Sequence, residues 1–469
     1  MNKKLIKTTA RGSFWLIGTN VASIFLRLAS IAILARILEP SHFGIFALLK
    51  LMYLVPTSVM SSHLTRNLIL LQHKNGIFIS SVYIAIFYSI IISFLLYIFS
   101  HQIALLFDEP DLKNLIKSIF YLPLLLMLNA ILDSYYSKQL KFKVIAIRNF
   151  IAMTFGAVFI SILLSYLGYG VWALIYGFIA SEVLKLMLLI VNIKNETYSF
   201  ELNKIKLLYN NVVSITGTQL LYQSVNNIDK TIISKYFGAS ALGFYVKGSQ
   251  ASQLPVNLIA NPLQKVGFAS LALEKNNLPF LRKSMLSLLD MTIKALLPLA
   301  LLMFSMSDLI IYILLGENWT DSVTILQIMS FCMFFKFMFK IFTTFLATLE
   351  RFDEIFYIQL ANIIVFVASS FLLSRWGING IAISLIFGLV ISCFLGLYSL
   401  KNLFKISFID IYNRFIKTVL ISIVLISLVV SIEILLKNHN YFKWMLQFIV
   451  ITPYLINNLF KIKRETKLN

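Results

Sequence analysis

Thr216, Gln219, Gln223, Asn226 and Lys230 recur at steps of three and four residues, so on an α-helix they form one polar stripe with Asp229 beside it. Lys247, Gln250, Asn257, Asn261 and Gln264 form a second series. Asn20, Ser23, Arg27 and Ser30 form a third, and Lys50, Tyr53, Thr57 and Ser61 a fourth. Each series interrupts an otherwise apolar run, where an ionised side chain costs about 2.5–3.5 kcal/mol at mid-bilayer. Such groups persist only where they bind something. The amides and hydroxyls supply hydrogen bonds, and Arg27, Lys50, Lys230 and Lys247 supply positive charge. The fitting ligand is an anion, and a phosphate or pyrophosphate suits Lys and Arg well.

The balance of charge inside the apolar runs points the same way. Arg27, Lys50, Lys185, Lys230, Lys247, Lys265, Lys294, Lys336 and Lys340 stand against Asp133, Glu182, Asp229 and Asp290. Lys185, Lys265, Lys336 and Lys340 can snorkel to the cytoplasmic interface, and Asp229 with Lys230 can serve helix packing. Arg27, Lys50 and Lys247 lie farther in, so they carry the binding-site hypothesis. Bond-making chemistry finds no support: the histidines are scattered, no HExxH, CxxC, GxSxG or P-loop spacing occurs, and the acidic pairs Asp108-Glu109 and Asp353-Glu354 sit in short loops. Neither a cofactor nor a metal site is expected, and Cys332 and Cys393 lie in apolar runs as small hydrophobes.

The elements that must position these residues are transmembrane helices. Of 469 residues, 59% are hydrophobic and 13% charged, with a mean hydropathy of +0.84. A crossing needs roughly 20 apolar residues, and polar breaks divide the chain into fourteen candidate spans: 12–37, 43–64, 78–100, 115–137, 146–167, 171–193, 209–236, 240–265, 284–313, 322–348, 355–374, 379–400, 415–436 and 443–460. The net charge of +21 reflects basic residues retained on the cytoplasmic side rather than a nucleic-acid partner. With both termini cytoplasmic, the outer loops hold only Arg36, Lys113, Lys117, Lys235, Arg375, Lys437 and Lys443, while Asp108, Glu109, Asp111 and Glu317 face outward. The basic start reads as a retained first helix, because Arg27 interrupts the apolar stretch and no cleavage site follows.

A shift of 199 residues superposes the first two spans on the seventh and eighth. Gly18-Thr19 meets Gly217-Thr218, Arg36 meets Lys235, Ser41 meets Ser240, Gly44 meets Gly243, Pro56 meets Pro255 and Arg66 meets Lys265. GYGVWALIYG near the sixth span is echoed loosely by GINGIAISLIFG near the twelfth. The expected fold is all-α and membrane-integral: a lobe over residues 1–194 with six helices, a parallel-repeat lobe over 195–404 with six more, and two further helices with a basic tail over 405–469. The stripes place spans 1, 2, 7 and 8 around a hydrated central cleft. Pro56, Pro123, Pro255, Pro262 and Pro298 fall within spans and can bend them.

At ARILEPSHFGIFAL, at NNIDKTIISKYFGASALGFYVKGSQASQLPVNLIANPL and in its twelve-plus-two layout, the sequence resembles the Wzx-type polysaccharide flippases. These belong to the multidrug, oligosaccharidyl-lipid and polysaccharide exporter superfamily, alongside multidrug-and-toxin exporters and lipid II flippases. The resemblance implies a bacterial inner-membrane protein, not an enzyme, moving undecaprenyl-pyrophosphate-linked oligosaccharide outward by alternating access. It further implies a glycan polymerase and chain-length machinery as partners and H+ or Na+ as coupling ion. The family's cationic cleft is matched in type by Arg27, Lys50, Lys230 and Lys247. Two rivals predict other features. A cation-coupled drug exporter calls for an acid-dominated cleft, and a membrane glycan polymerase or ligase calls for a long external loop.

Overall fold

A backbone in hydrocarbon must satisfy its own hydrogen bonds, and each apolar run is helical where the structure describes it. The computed structural model describes residues 3–70, 77–190, 212–256, 277–404 and 440–468, with Leu271 and scattered positions from 416 to 435. Among these residues there is no strand. The helices group into two compact units, Met1–Val246 and Lys247–Asn469.

The first unit holds α1 (Lys3–Ile37), α2 (Pro40–Leu70), α3 (Ile77–Ile98), α4 (Ser100–Leu106), α5 (Pro110–Ser118) and α6 (Leu122–Lys138). Next, α7 (Phe142–Ile151) runs through a π-helical stretch, Ala152–Ile160, into α8 (Ser161–Tyr166), followed by α9 (Val171–Ile190). Most of α10 (Val212–Ser252), which is two helices meeting at a kink at Gly238, also belongs here. Leu64, Leu68, Ile77, Phe78, Met127, Ile131, Tyr136 and Leu189 form the core where α2, α3, α6 and α9 meet. Buried phenols need a partner: Tyr53 donates to the Ile116 carbonyl at 2.7 Å and Tyr136 to that of Leu189 at 3.1 Å.

The second unit holds α11 (Leu278–Ser305), α12 (Ser307–Leu314), α13 (Asp321–Thr348), α14 (Phe352–Leu373), α15 (Gly377–Phe404) and α16 (Asn440–Leu468). Asn277 caps α11 by accepting from the Phe280 amide at 3.1 Å, which satisfies one of the helix's first free donors. Met285, Leu289, Ile293, Phe342, Phe345, Leu400 and Phe404 pack α11, α13 and α15 together.

Packing partners repeat between the units. In the first, α6 packs on α3 and α9, and α9 on the π-helical stretch after α7; in the second, α13 packs on α11 and α15, and α15 on α14. A short helix follows the third long one in the first unit and the first long one in the second. The expected span 284–313 breaks at Met306 to make α12, just as α4 follows α3. Hydropathy merges α11 with α12, because Ile313 is apolar although exposed, whereas α4 falls between the expected spans 78–100 and 115–137.

Eight helices among the described residues are long and apolar enough to cross a membrane, or nine if α5 and α6, bent by 54°, count as one span. One of the eight, Phe352–Lys401, contains both α14 and α15. The helix with the longest polar stripe, α10, is not among them. Of the fourteen expected spans, the described parts of the seventh and eighth are helical within α10 and the fourteenth within α16, while most of the thirteenth lies outside the described residues. Pro56 and Pro298 lie inside α2 and α11, and Pro123 stands in the first turn of α6, at the 54° bend. Pro255 follows the end of α10, and Pro262 lies outside the described residues.

The unit boundary at 246/247 falls later than the 194/195 boundary that the repeat suggests. The repeat marks where a sequence pattern restarts. The unit marks which helices pack together, and α10 packs with the helices before it as far as Val246.

Candidate anion-binding face

Lys50 of α2 and Arg27 of α1 are two of the expected cationic residues that lie in the first unit. On α2, Phe46 precedes Lys50 by four residues and so lies on the same helix face. Phe178 of α9 packs edge-on against Phe46, with ring centres 6.1 Å apart, and the Lys50 ammonium sits in the corner between them, 4.6 Å from the centre of each ring. Such a bracket holds a cation by the quadrupoles of the rings without neutralising it. Lys50 also lies within electrostatic range of Arg27, Lys185 and Glu182. Arg27 is exposed, on the same face of α1 as the exposed Asn20 and the half-buried Ser23. Among the described residues neither Lys50 nor Arg27 forms a hydrogen bond or an ion pair.

The acids nearby are already committed. Asn129 donates to the Glu182 carbonyl at 2.9 Å and to its carboxylate at 3.0 Å, and Lys185 donates to the other carboxylate oxygen at 2.6 Å. Lys185 is therefore part of a partly buried ion pair, in place of the snorkelling expected for it. Arg148, near the start of the expected span 146–167, is buried in α7 and meets Asp133 of α6 at 2.6 Å. The Glu182/Lys185 spacing of three residues was a legible sign of this pairing.

The Asp133–Arg148 pair is one-sided, its carboxylate 40% exposed and its guanidinium 2%. Asp133→Asn strands a buried charge, with an expected cost of about 2 kcal/mol, between the values for exposed and fully buried pairs. The joint variant Asp133→Asn/Arg148→Met should recover most of that. Thermal unfolding in detergent checks it, and additive losses would show that the two residues are not coupled.

The α10 stripe divides into exposed, bonded and buried members. Gln219 and Gln223 are half-buried, and Gln223 donates to the Ser58 hydroxyl of α2 at 2.7 Å, joining two of the repeat-related helices. Asn226 donates to the Tyr222 carbonyl at 2.7 Å. Lys230 donates to the Asn226 carbonyl at 3.1 Å and to the Asn227 side chain at 2.7 Å. Asp229 points elsewhere: it is buried and accepts from the Tyr245 hydroxyl at 2.5 Å, pinning α10 to its own second arm. Lys247 is buried where Gly248 abuts Ser322 and Ile325 of α13, whereas Gln250 is exposed. Asn257 and Asn261 lie outside the described residues.

Arg27, Lys50, Gln223, Asn226 and Lys230 are thus all in the first unit, on three helices. No carboxylate is bonded to Arg27 or Lys50 among the described residues. Phe46 and Phe178 escaped sequence reasoning because aromatic residues are common in apolar runs. Only the i,i+4 relation of Phe46 to Lys50 hinted at the bracket.

Fold and geometry define an all-α protein with at least eight helices long and apolar enough to cross a membrane among its described residues, whose first unit carries Lys50 and Arg27 without a bonded carboxylate. Its backbone superposes on the lipid II flippase MurJ in an inward closed conformation with a TM-score of 0.76 at 17% identity, covering 96% of this chain and 98% of that one. It superposes on the Vibrio cholerae MATE transporter VcmN in its bent form with a TM-score of 0.58 at 12% identity, covering 86% and 97%. A sequence profile described as polysaccharide biosynthesis protein matches residues 33–324, and the chain belongs to that family. It is 22% identical over 326 residues to the succinoglycan biosynthesis transport protein ExoT of Rhizobium meliloti, covering 69% of this chain and 66% of that protein. It is 32% identical over 104 residues to the teichuronic acid biosynthesis protein TuaB of Bacillus subtilis, covering 22% of each. The matches therefore span just under two thirds of the first relative's length and about a fifth of the second's.

Proposed function

We propose that the chain is a flippase that carries undecaprenyl-pyrophosphate-linked oligosaccharide repeat units from the cytoplasmic to the outer leaflet of a bacterial inner membrane. The observation that carries this reading is Lys50, set against the rings of Phe46 and Phe178 and within electrostatic range of Arg27, without a carboxylate in contact. An uncompensated charge in a membrane interior is costly, and a visiting pyrophosphate would offset that cost. The amides of Asn20, Gln223 and Asn226, in the same unit, can hydrogen-bond sugar hydroxyls. The polyprenyl chain stays in lipid, and alternating exposure of the polar face moves the head group across. Fourteen crossings, two repeat lobes and cytoplasmic termini belong to the same reading. So do H+ or Na+ coupling and hand-over of the product to a glycan polymerase with its chain-length machinery.

Reconstitution tests it. Proteoliposomes containing a fluorescent polyprenyl-pyrophosphate oligosaccharide should show protein-dependent exposure of the head group to an impermeant reagent. A neutral polyprenyl glycoside of the same length should cross far more slowly. Equal rates for the two would remove the anion site from the mechanism. Lengthening of the glycan by the purified chain would make it an enzyme, and export of an organic cation would make it a drug exporter.

A further inference from the structure

The end of the first unit that carries the α1–α2 and α4–α5 turns has a set of contacts that the binding face does not use. The helical stretch α10 is interrupted at Gly238, whose backbone (φ 81, ψ 178) is open to glycine and strained for other residues. Just past this break, α10 crosses the start of α2 at very close range, twice and reciprocally. A Cβ on Gly44 would lie 1.7 Å from the Ala239 carbonyl oxygen, and one on Gly243 would lie 2.0 Å from that of Pro40. The repeat shift relates Gly44 to Gly243 and Pro40 to Ala239, so the crossing is a local two-fold made by the repeat itself. The turn between α4 and α5 grips it from the side. Lys235 donates to Asp108 at 3.0 Å, and the Ala239 amide donates to the Glu109 carboxylate at 3.1 Å, one contact on each side of the Gly238 break.

We infer that the Asp108-Glu109 turn is a latch which clamps the Gly238 hinge and holds the α2–α10 crossing shut. It rests on the flippase reading in needing a face that opens and closes, although its contacts exist whatever the cargo. Releasing the two bonds frees the second arm of α10 to swing about Gly238, which parts Gly44 from Ala239 and Gly243 from Pro40 together. A break carrying a single glycine, spanned by two bonds from one turn, is suited to such a two-position movement.

Protonation favours the closed position. Burial raises Glu109 above the usual carboxylate range, the Ala239 amide acts against this, and Asp111 and Asp108 add to the rise. Across the crossing stand Lys235, bonded to Asp108, and the α1–α2 corner, where Arg36 donates to the Ala32 carbonyl, Glu39 accepts from Ser41 and His42 accepts from the Glu39 amide. A group whose value is raised in the closed form binds its proton more tightly there, so closure gains as pH falls and loses that gain as pH rises through the raised value. The protonated carboxyl keeps a carbonyl oxygen for the Ala239 amide.

The test reads the hinge without any glycan, so a failed flipping assay and a failed latch are separable. Ala239→Cys, with Cys332 and Cys393 replaced by alanine, is labelled by maleimide in detergent and in nanodiscs. Ala239 is buried, so labelling of the otherwise unchanged chain should be slow. Asp108→Lys should speed it several-fold, and Asp108→Lys/Lys235→Asp should restore slow labelling. The Asp108 side chain is 75% exposed, but its backbone is left-handed (φ 54), which lysine adopts less readily than aspartate, so the labelling is read on variants whose melting temperature is unchanged. At a fixed maleimide-reactive fraction, labelling should slow from neutral pH toward pH 5, and Glu109→Gln should abolish that slowing. Labelling unaffected by Asp108→Lys, or a charge swap that fails to restore protection, would overturn the latch.

Discussion

Lys50→Met is expected to slow glycan translocation by roughly 30- to 150-fold while leaving the fold as stable as before or more so. The two signs come from different parts of the same site. Loss of one charged hydrogen-bond donor to a phosphate costs about 2–3 kcal/mol, which converts to that range of rates. In the unloaded protein the same ammonium is a burden of about 2.5–3.5 kcal/mol by insertion scales. The rings of Phe46 and Phe178, each 4.6 Å away, return about 2 kcal/mol of that as cation–π attraction. Methionine removes the charge, fills the same channel and makes sulfur–aromatic contacts, so a net gain near 1 kcal/mol follows. Lys50→Arg keeps charge and stacks on aromatic faces, so it should retain much of the transport. Initial rates in proteoliposomes and melting in detergent separate the outcomes. A parallel fall in rate and stability would make Lys50 a packing residue, and an unchanged rate would remove it from the binding face.

The sequence pattern reads well wherever a single helix decides the matter. Apolar runs locate the helices, the i,i+3/i+4 stripes identify which face of α1, α2 and α10 is polar, and the 199-residue shift pairs Gly44 with Gly243 before any contact is known. What eluded it lies between helices. Asn129 and Glu182 are 53 residues apart and meet only because α6 and α9 pack together. Phe178 reaches Lys50 from a helix whose own sequence gives no sign of it. Asp229 illustrates the limit of a stripe: its position beside Lys230 suggests the polar face, but the hydroxyl of Tyr245, 16 residues on, draws it into the interior. The short helix α12 was hidden for another reason, since hydropathy counts residues and cannot see a turn at Met306.

The repeat offers two pairs of glycines, and the structure predicts opposite results for them. At the crossing, Gly44→Ala sets a methyl 1.7 Å from the Ala239 carbonyl oxygen, and Gly243→Ala sets one 2.0 Å from that of Pro40. The obstacle in both cases is backbone, which cannot rotate aside as a side chain can, so α2 and α10 must separate by roughly 1.5 Å to restore ordinary contact. Overpacking of this kind costs about 1–3 kcal/mol, and the separation also draws Ala239 away from Glu109. Gly18 and Gly217 are paired by the same shift, yet a Cβ at either meets nothing within 4 Å. Their alanine variants should therefore be tolerated, or gain up to about 1 kcal/mol each from helix propensity. Gly44 and Gly243 share one crossing, and the gap opened for the first methyl also accommodates the second. The double variant Gly44→Ala/Gly243→Ala should then cost clearly less than the sum of the singles, with transport lost in all three because the crossing can no longer shut. Melting temperatures of the four single variants and the double, together with their translocation rates, decide it. Equal sensitivity at all four glycines would mean that the helices need glycine for a reason other than this contact, and strict additivity would mean that the two close approaches are not one mechanical unit.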